Sequence, residues 1–131
     1  MASDEQIVRD YLKLYRDGRE DDAFHSLIEV GPQLITPLIS ACEDSGNIEP
    51  KSFILTVIGE YRDPSGLSCL RHLLRRPEDT IWKAALDGLV KVNTREALDD
   101  IEFVLDSVTD SGKRTWIDEA VTDMASSLKL E

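Results

Sequence analysis

At 131 residues, with 41% hydrophobic and 31% charged residues, the chain has the size and composition of one globular domain and is too apolar to stay disordered. Its 26 Asp and Glu against 15 Lys and Arg give a formal charge of −11, which repels phosphate backbones and anionic headgroups and disfavours nucleic acid and membrane as direct partners. Two cysteines are too few for a disulfide scaffold, no run approaches the roughly 18 apolar residues of a membrane span, and the first residues lack a basic or apolar leader, so the cytoplasm is the expected compartment.

Every strong apolar segment has helical spacing and none alternates strictly, which predicts helices throughout. Breaks at Asp17-Gly18, Gly31-Pro32, Ser45-Gly46-Asn47, Asp63-Pro64-Ser65-Gly66, Pro77, Asn93-Thr94 and Ser111-Gly112 divide the chain into about eight segments of 10 to 16 residues. Short helices joined by short turns pack as antiparallel pairs. The pairs fall at about 4–29, 33–61, 64–92 and 94–128, within one domain spanning 1–129; Leu130-Glu131 reads as residue left by a cloning site.

The first pair sets a pattern that recurs every 31 residues. On the second helices, Phe24, Leu55, Leu86 and Ile117 form one column, Leu27, Ile58, Leu89 and Ala120 another, and Ala23, Ile54, Ala85 and Trp116 a third. On the first helices, with one residue added between the second and third pairs, Ile7 and Leu38 lead to Leu70 and Ile101, and Tyr11 and Cys42 to Leu74 and Leu105. Such a period means that each pair buries its apolar face against the next, giving an all-α superhelix of about four antiparallel pairs. In this register Arg71 and Arg75 precede Glu102 and Asp106 by 31 residues, which predicts surface ion pairs between neighbouring first helices.

In the third pair the residues become distinctive. The run Ile58-Gly59-Glu60-Tyr61-Arg62-Asp63-Pro64-Ser65-Gly66-Leu67-Ser68-Cys69-Leu70 resembles the junction of bacterial HEAT repeats of the phycobilisome-lyase type, in which A-L-G-x-x-x-D-P-x-A-x-x-x-L joins one pair to the next. Ile81-Trp82-Lys83-Ala84-Ala85-Leu86 is similar to the V-R-x-A-A-x opening of that family's inner helix. The middle two repeats carry the pattern. Pro50 stands where the family has a β-branched residue, Trp82 where it often has Arg, and Asn93-Thr94-Arg95 replaces Asp-Pro in the fourth repeat. The resemblance implies a HEAT-like solenoid and a general binding role, not lyase activity.

No catalytic constellation accompanies the repeat. His25 and His72 have no second His or Cys at helix-face spacing, so no metal is expected, and both read as surface residues. Cys42 falls in a core column and reads as a buried structural thiol; Cys69 has no histidine placed to activate it. The acidic runs Asp17–Asp22 and Asp99–Glu102 read as solvated turns and faces. There is no nucleophile elbow or phosphate-cradling glycine loop, so neither enzymatic activity nor a cofactor is expected.

Repeat stacks of this kind bind through the surface their second helices line. Opposite the core columns, that surface carries His25, Thr56, Asp87 and Asp118 in one file and Glu29, Glu60, Lys91 and Thr122 in the next. Trp82, with Lys83 beside it, is the expected anchor, the competing expectation being that it packs over the turn at Arg76-Pro77; Trp116 is expected in the core. The partner-binding candidates are therefore His25, Glu29, Thr56, Glu60, Trp82, Lys83, Asp87 and Asp118. The expected partner is another protein, a basic one by charge, bound by a monomer or weak homo-oligomer. The sharper form is an immunity-type inhibitor of a basic toxin; the alternatives are a chromophore-handling protein and a self-associating structural subunit.

Overall fold

The computed structural model describes residues 3–129, so Leu130 and Glu131 and the reading placed on them lie outside the described residues. The expected all-helical class holds, with eight α-helices and no strand among those residues. They are α1 (Asp4–Arg16), α2 (Glu20–Val30), α3 (Ile35–Asp44), α4 (Ile48–Glu60), α5 (Leu67–Leu74), α6 (Asp79–Val92), α7 (Arg95–Leu105) and α8 (Ser111–Ser127). At 8 and 17 residues, α5 and α8 fall outside the expected range. Among the described residues no helix is long and apolar enough to cross a membrane.

Several boundaries have a local cause. Ser3, Thr94 and Asp110 accept backbone N–H groups at the starts of α1, α7 and α8, satisfying donors that a helix leaves unpaired. Gly31 ends α2 at φ 116° and ψ 179°, a conformation that a side chain would strain, and Pro32 then starts a short 3-10 turn into α3. Asn93 closes α6 in the left-handed region, which Asn tolerates, and its amide donates to the Ser127 hydroxyl at 3.0 Å, tying that end to α8. Pro50 occupies the first turn of α4, where a missing N–H breaks no helical bond.

Sequential helices pack as α1 with α2, α3 with α4, α5 with α6 and α7 with α8. Second helices also meet their neighbours, α2 with α4, α4 with α6 and α6 with α8, the α4–α6 contact being the most extensive. Gly59 and Gly88 explain that closeness: a Cβ on Gly59 would lie 2.6 Å from the Gly88 Cα. Without side chains there, the two backbones touch.

Burial of the repeat columns is graded from one end to the other. Ala23, Ile54 and Ala85 are fully buried or nearly so, whereas Trp116, last in the same column, is 51% exposed. In the adjacent column the order reverses: Phe24 is only partly buried, while Leu55, Leu86 and Ile117 are buried. One column therefore needs a following helix to cover it and the other a preceding one. This corrects the expectation of a core Trp116, since no helix pair follows α8 among the described residues.

Basic side chains close the C-termini of first helices. Lys51 donates to the Cys42 carbonyl at 2.5 Å, Lys113 to those of Leu74 and Arg76 at 2.8 and 3.2 Å, and Arg114 to those of Leu105 and Val108 at 3.0 Å each. A cation there satisfies unpaired carbonyls and favours the negative end of the helix dipole. Tyr61 makes a comparable tie, its hydroxyl donating to the Leu27 carbonyl at 2.5 Å; burial pushes that phenol up to about 12.

Candidate partner-binding surface

The candidate side chains on the second helices form separate groups. Lys91 on α6 reaches the Glu60 carboxylate on α4 at 2.7 Å and Asp87 on its own helix at 3.2 Å. The hydrogen bond from Lys91 holds the Glu60 carboxyl below its ordinary range, and the same bond raises Lys91. Part of the acidic file is thus already neutralised. Asp118 is exposed on α8 beside a shallow depression shared with Thr115, Glu119, Thr122 and Asp123. His25 and Glu29 are exposed on α2, with His25 edge-on to the Phe24 ring at 5.6 Å.

Thr56 belongs to a different arrangement. It lines a groove of about 530 Å³ where the end of α1, the starts of α2 and α4 and the start of α6 come together. Its apolar wall is Tyr15 and Phe53, stacked at 4.2 Å, together with Phe24; Glu20, Asp21 and Glu49 are its carboxylates; Ser52, Thr56 and Thr80 complete it. None of the three carboxylates has an ion-pair partner among the described residues. All three lie in the first turns of α2 and α4, where the positive ends of the helix dipoles offset their mutual repulsion. Burial raises the Tyr15 phenol, and the Glu49 and Glu20 carboxylates raise it further, so the aromatic wall sits in a negative potential.

This groove was not legible as a site. The run Asp17–Asp22 reads as a solvated turn or face, and Glu20 and Asp21 are indeed exposed, in the first turn of α2, where they also border the groove. Phe24 reads as core, yet as first in its column it has no second helix of an earlier pair to cover it among the described residues and is left partly open. That end-of-column position was the available signal; the arrival of Tyr15 and Glu49 required the folded chain.

Trp82 takes the second of its two expected placements. It is 4% exposed, donates from Nε1 to the Asp79 carboxylate at 3.1 Å and shares a cavity with Pro77 and Lys113. It therefore packs over the turn and cannot be an exposed anchor. The repeat register gives the reason: position 82 is equivalent to 51 and 113, whose lysines point at helix C-termini. Lys83 lies 4.5 Å above the ring of Trp116, itself edge-on to Trp82 at 6.1 Å, so the exposed tryptophan of the molecule is Trp116.

The first-helix ion pairs also differ from expectation. Arg71 meets Asp100 at 3.1 Å rather than Glu102, and Arg75 lies 5.2 Å over the exposed Phe103 ring rather than against Asp106. Asp100 is 8% exposed, so this member of the Asp99–Glu102 run is not solvated. The pairing at a spacing of 31 residues occurs on the second helices, in Glu60 and Lys91. Cys42 is buried as expected. Among the described residues no three His, Cys, Asp or Glu side chains are grouped to hold a metal ion. No protein-family model, curated protein or solved structure matches this chain.

Proposed function

We propose that the protein is a non-enzymatic binding module, a HEAT-like solenoid of four helix pairs, whose acidic aromatic groove takes a lysine or arginine side chain from a basic protein partner. The groove carries this reading: three carboxylates without cations surround three aromatic rings, the combination that pairs with a cation electrostatically and through its π-faces. The graded burial of the repeat columns and the sequential packing of second helices support the solenoid. The surplus of negative charge supports fast capture of a basic protein, and an inhibitor that covers a basic active site is the sharper form.

A short arginine-rich peptide is the probe. Its addition should move the amide resonances of Tyr15, Phe53 and Thr56, and Glu20→Gln with Glu49→Gln should weaken binding about tenfold, with affinity falling as salt rises. Shifts spread evenly over all acidic surfaces, or centred on Asp118 and Glu119, would show that the groove is not the receptor.

A further inference from the structure

The first helices carry a second open groove, of about 850 Å³, that shares no residue with the acidic one. Its floor is α5, at 8 residues the shortest of the eight helices, with Ile39 and Glu43 of α3 on one side and Asp99, Asp100 and Phe103 of α7 on the other. Phe103 is 65% exposed, the most open of the large apolar side chains among the described residues. The groove is also where the negative surface gives way: two arginines, Arg71 and Arg75, face its three carboxylates, on a chain of charge −11. Arg71 holds Asp100 at 3.1 Å and Arg95 holds Asp99 at 3.1 Å. That leaves Glu43 and Arg75, neither of which has an ion-pair partner among the described residues. Arg75 lies 5.2 Å over the Phe103 ring, on the α7 side of the groove, and Glu43 lies on the α3 side.

We infer that two copies of the chain pair through this groove about a two-fold axis along α5, Phe103 of each packing on Ile39 of the other and Arg75 of each meeting Glu43 of the other. Consecutive helices joined by short turns alternate in direction, so α3, α5 and α7 run the same way. Glu43 and Arg75 are equivalent positions of the repeat, 32 residues apart, and Phe103 lies one residue beyond the equivalent of Ile39. The members of each pair therefore sit at nearly one level along the helices, on opposite sides of the groove. A two-fold axis along the groove exchanges its sides and keeps the level, so both contacts form twice. A foreign partner of one sign would satisfy only one of the two unspent charges; a second copy satisfies both. Elsewhere the acidic surfaces of two chains repel each other, which selects this neutral patch. Covering the ring supplies the attraction, and the crossed charges fix the register.

Sedimentation of the purified chain across a concentration series tests this. The weight-average mass should rise from 14.7 kDa toward twice that value by about 1 mM, and iodoacetamide should label the partly exposed Cys69 more slowly in step. Phe103→Asp should hold the mass at that of one chain while retaining the helical spectrum, because the ring is no part of the core. Glu43→Lys and Arg75→Glu should each weaken association about tenfold by setting like charges against each other. An equal mixture of those two variants should restore it, since each then offers the other the opposite charge at both contacts. A single chain at every concentration, a dimer that Phe103→Asp leaves intact, a mixture no tighter than either variant alone, or growth beyond two chains would overturn the inference.

Discussion

The centre of the molecule and its C-terminal end use the same repeat positions to different effect. At α4 and α6 the backbones meet at Gly59 and Gly88, and both helices bury residues on several sides. The 17-residue α8 buries only Ile117 and Met124 and leaves Trp116 largely in water. A repeat position therefore has no fixed burial of its own; it acquires one from the helix pair on either side. The stability of such an array should reside in its internal junctions, with the ends more weakly held.

The largest effect should follow from forcing the central backbones apart. Gly59→Ala would place a methyl group 2.6 Å from the Gly88 Cα, where nothing flexible can yield. Alanine favours an isolated helix over glycine by up to about 1 kcal/mol, whereas overpacking costs roughly 1–3 kcal/mol, and contact with backbone belongs at the upper end. A net loss of about 2 kcal/mol is expected from urea unfolding monitored by helical circular dichroism. A neutral or stabilising outcome would show that the central junction is no tighter than the end.

Lys113→Met tests how the end is attached. The ammonium serves two carbonyls at the end of α5 and lies 5.2 Å over the Trp82 ring. Methionine keeps the apolar stem and removes the charge, which should cost about 1–2 kcal/mol. Hydrogen exchange should report faster opening in α8 than in α4; equal acceleration in both helices would mean that the molecule opens as one unit.

Tyr61→Phe should cost about 1 kcal/mol by deleting the bond to the Leu27 carbonyl. The tyrosine also makes stability depend on pH in a definite direction. Its folded pKa of about 12 lies above the ordinary value of 10.0, so between those values the folded chain retains a proton that the unfolded chain has lost. The contribution of Tyr61 is complete below pH 10 and is lost as pH rises through about 12. Unfolding midpoints measured across that window should fall less steeply in Tyr61→Phe than in the parent protein, and the latest tyrosinate absorbance change should disappear.

Those residues also show where the sequence was informative. Leu27, Ile58 and Leu89 are fully buried, as their shared register predicts, because a repeating apolar position in an internal pair has few other places to go. Arg71 was assigned a partner two residues too far along. Helical side chains lean toward the N-terminus of their own helix, so Arg71 meets Asp100 earlier on the neighbouring helix than a pure repeat count suggests. The place of Trp82 is indicated by Lys51 and Lys113, its equivalents one repeat away, whose ammonium groups point at helix C-termini. The acidic groove depended on four helix ends converging, and no spacing within one segment encodes that.

The smallest effect concerns the exposed tryptophan. Trp116→Ala removes a ring that makes an edge contact with Trp82 and a cation–π contact with Lys83, but little core area. At an exposed site such contacts contribute about 0.5–1 kcal/mol, so the unfolding midpoint should scarcely move. Acrylamide quenching should change far more: emission from Trp116 is open to the quencher while Trp82 is shielded, so the variant should lose most of the quenchable fluorescence and retain a blue-shifted remainder. A large loss of stability, or quenching that persists, would mean that the third column is covered at the end as it is at the centre, and the difference between internal and terminal pairs would fall with it.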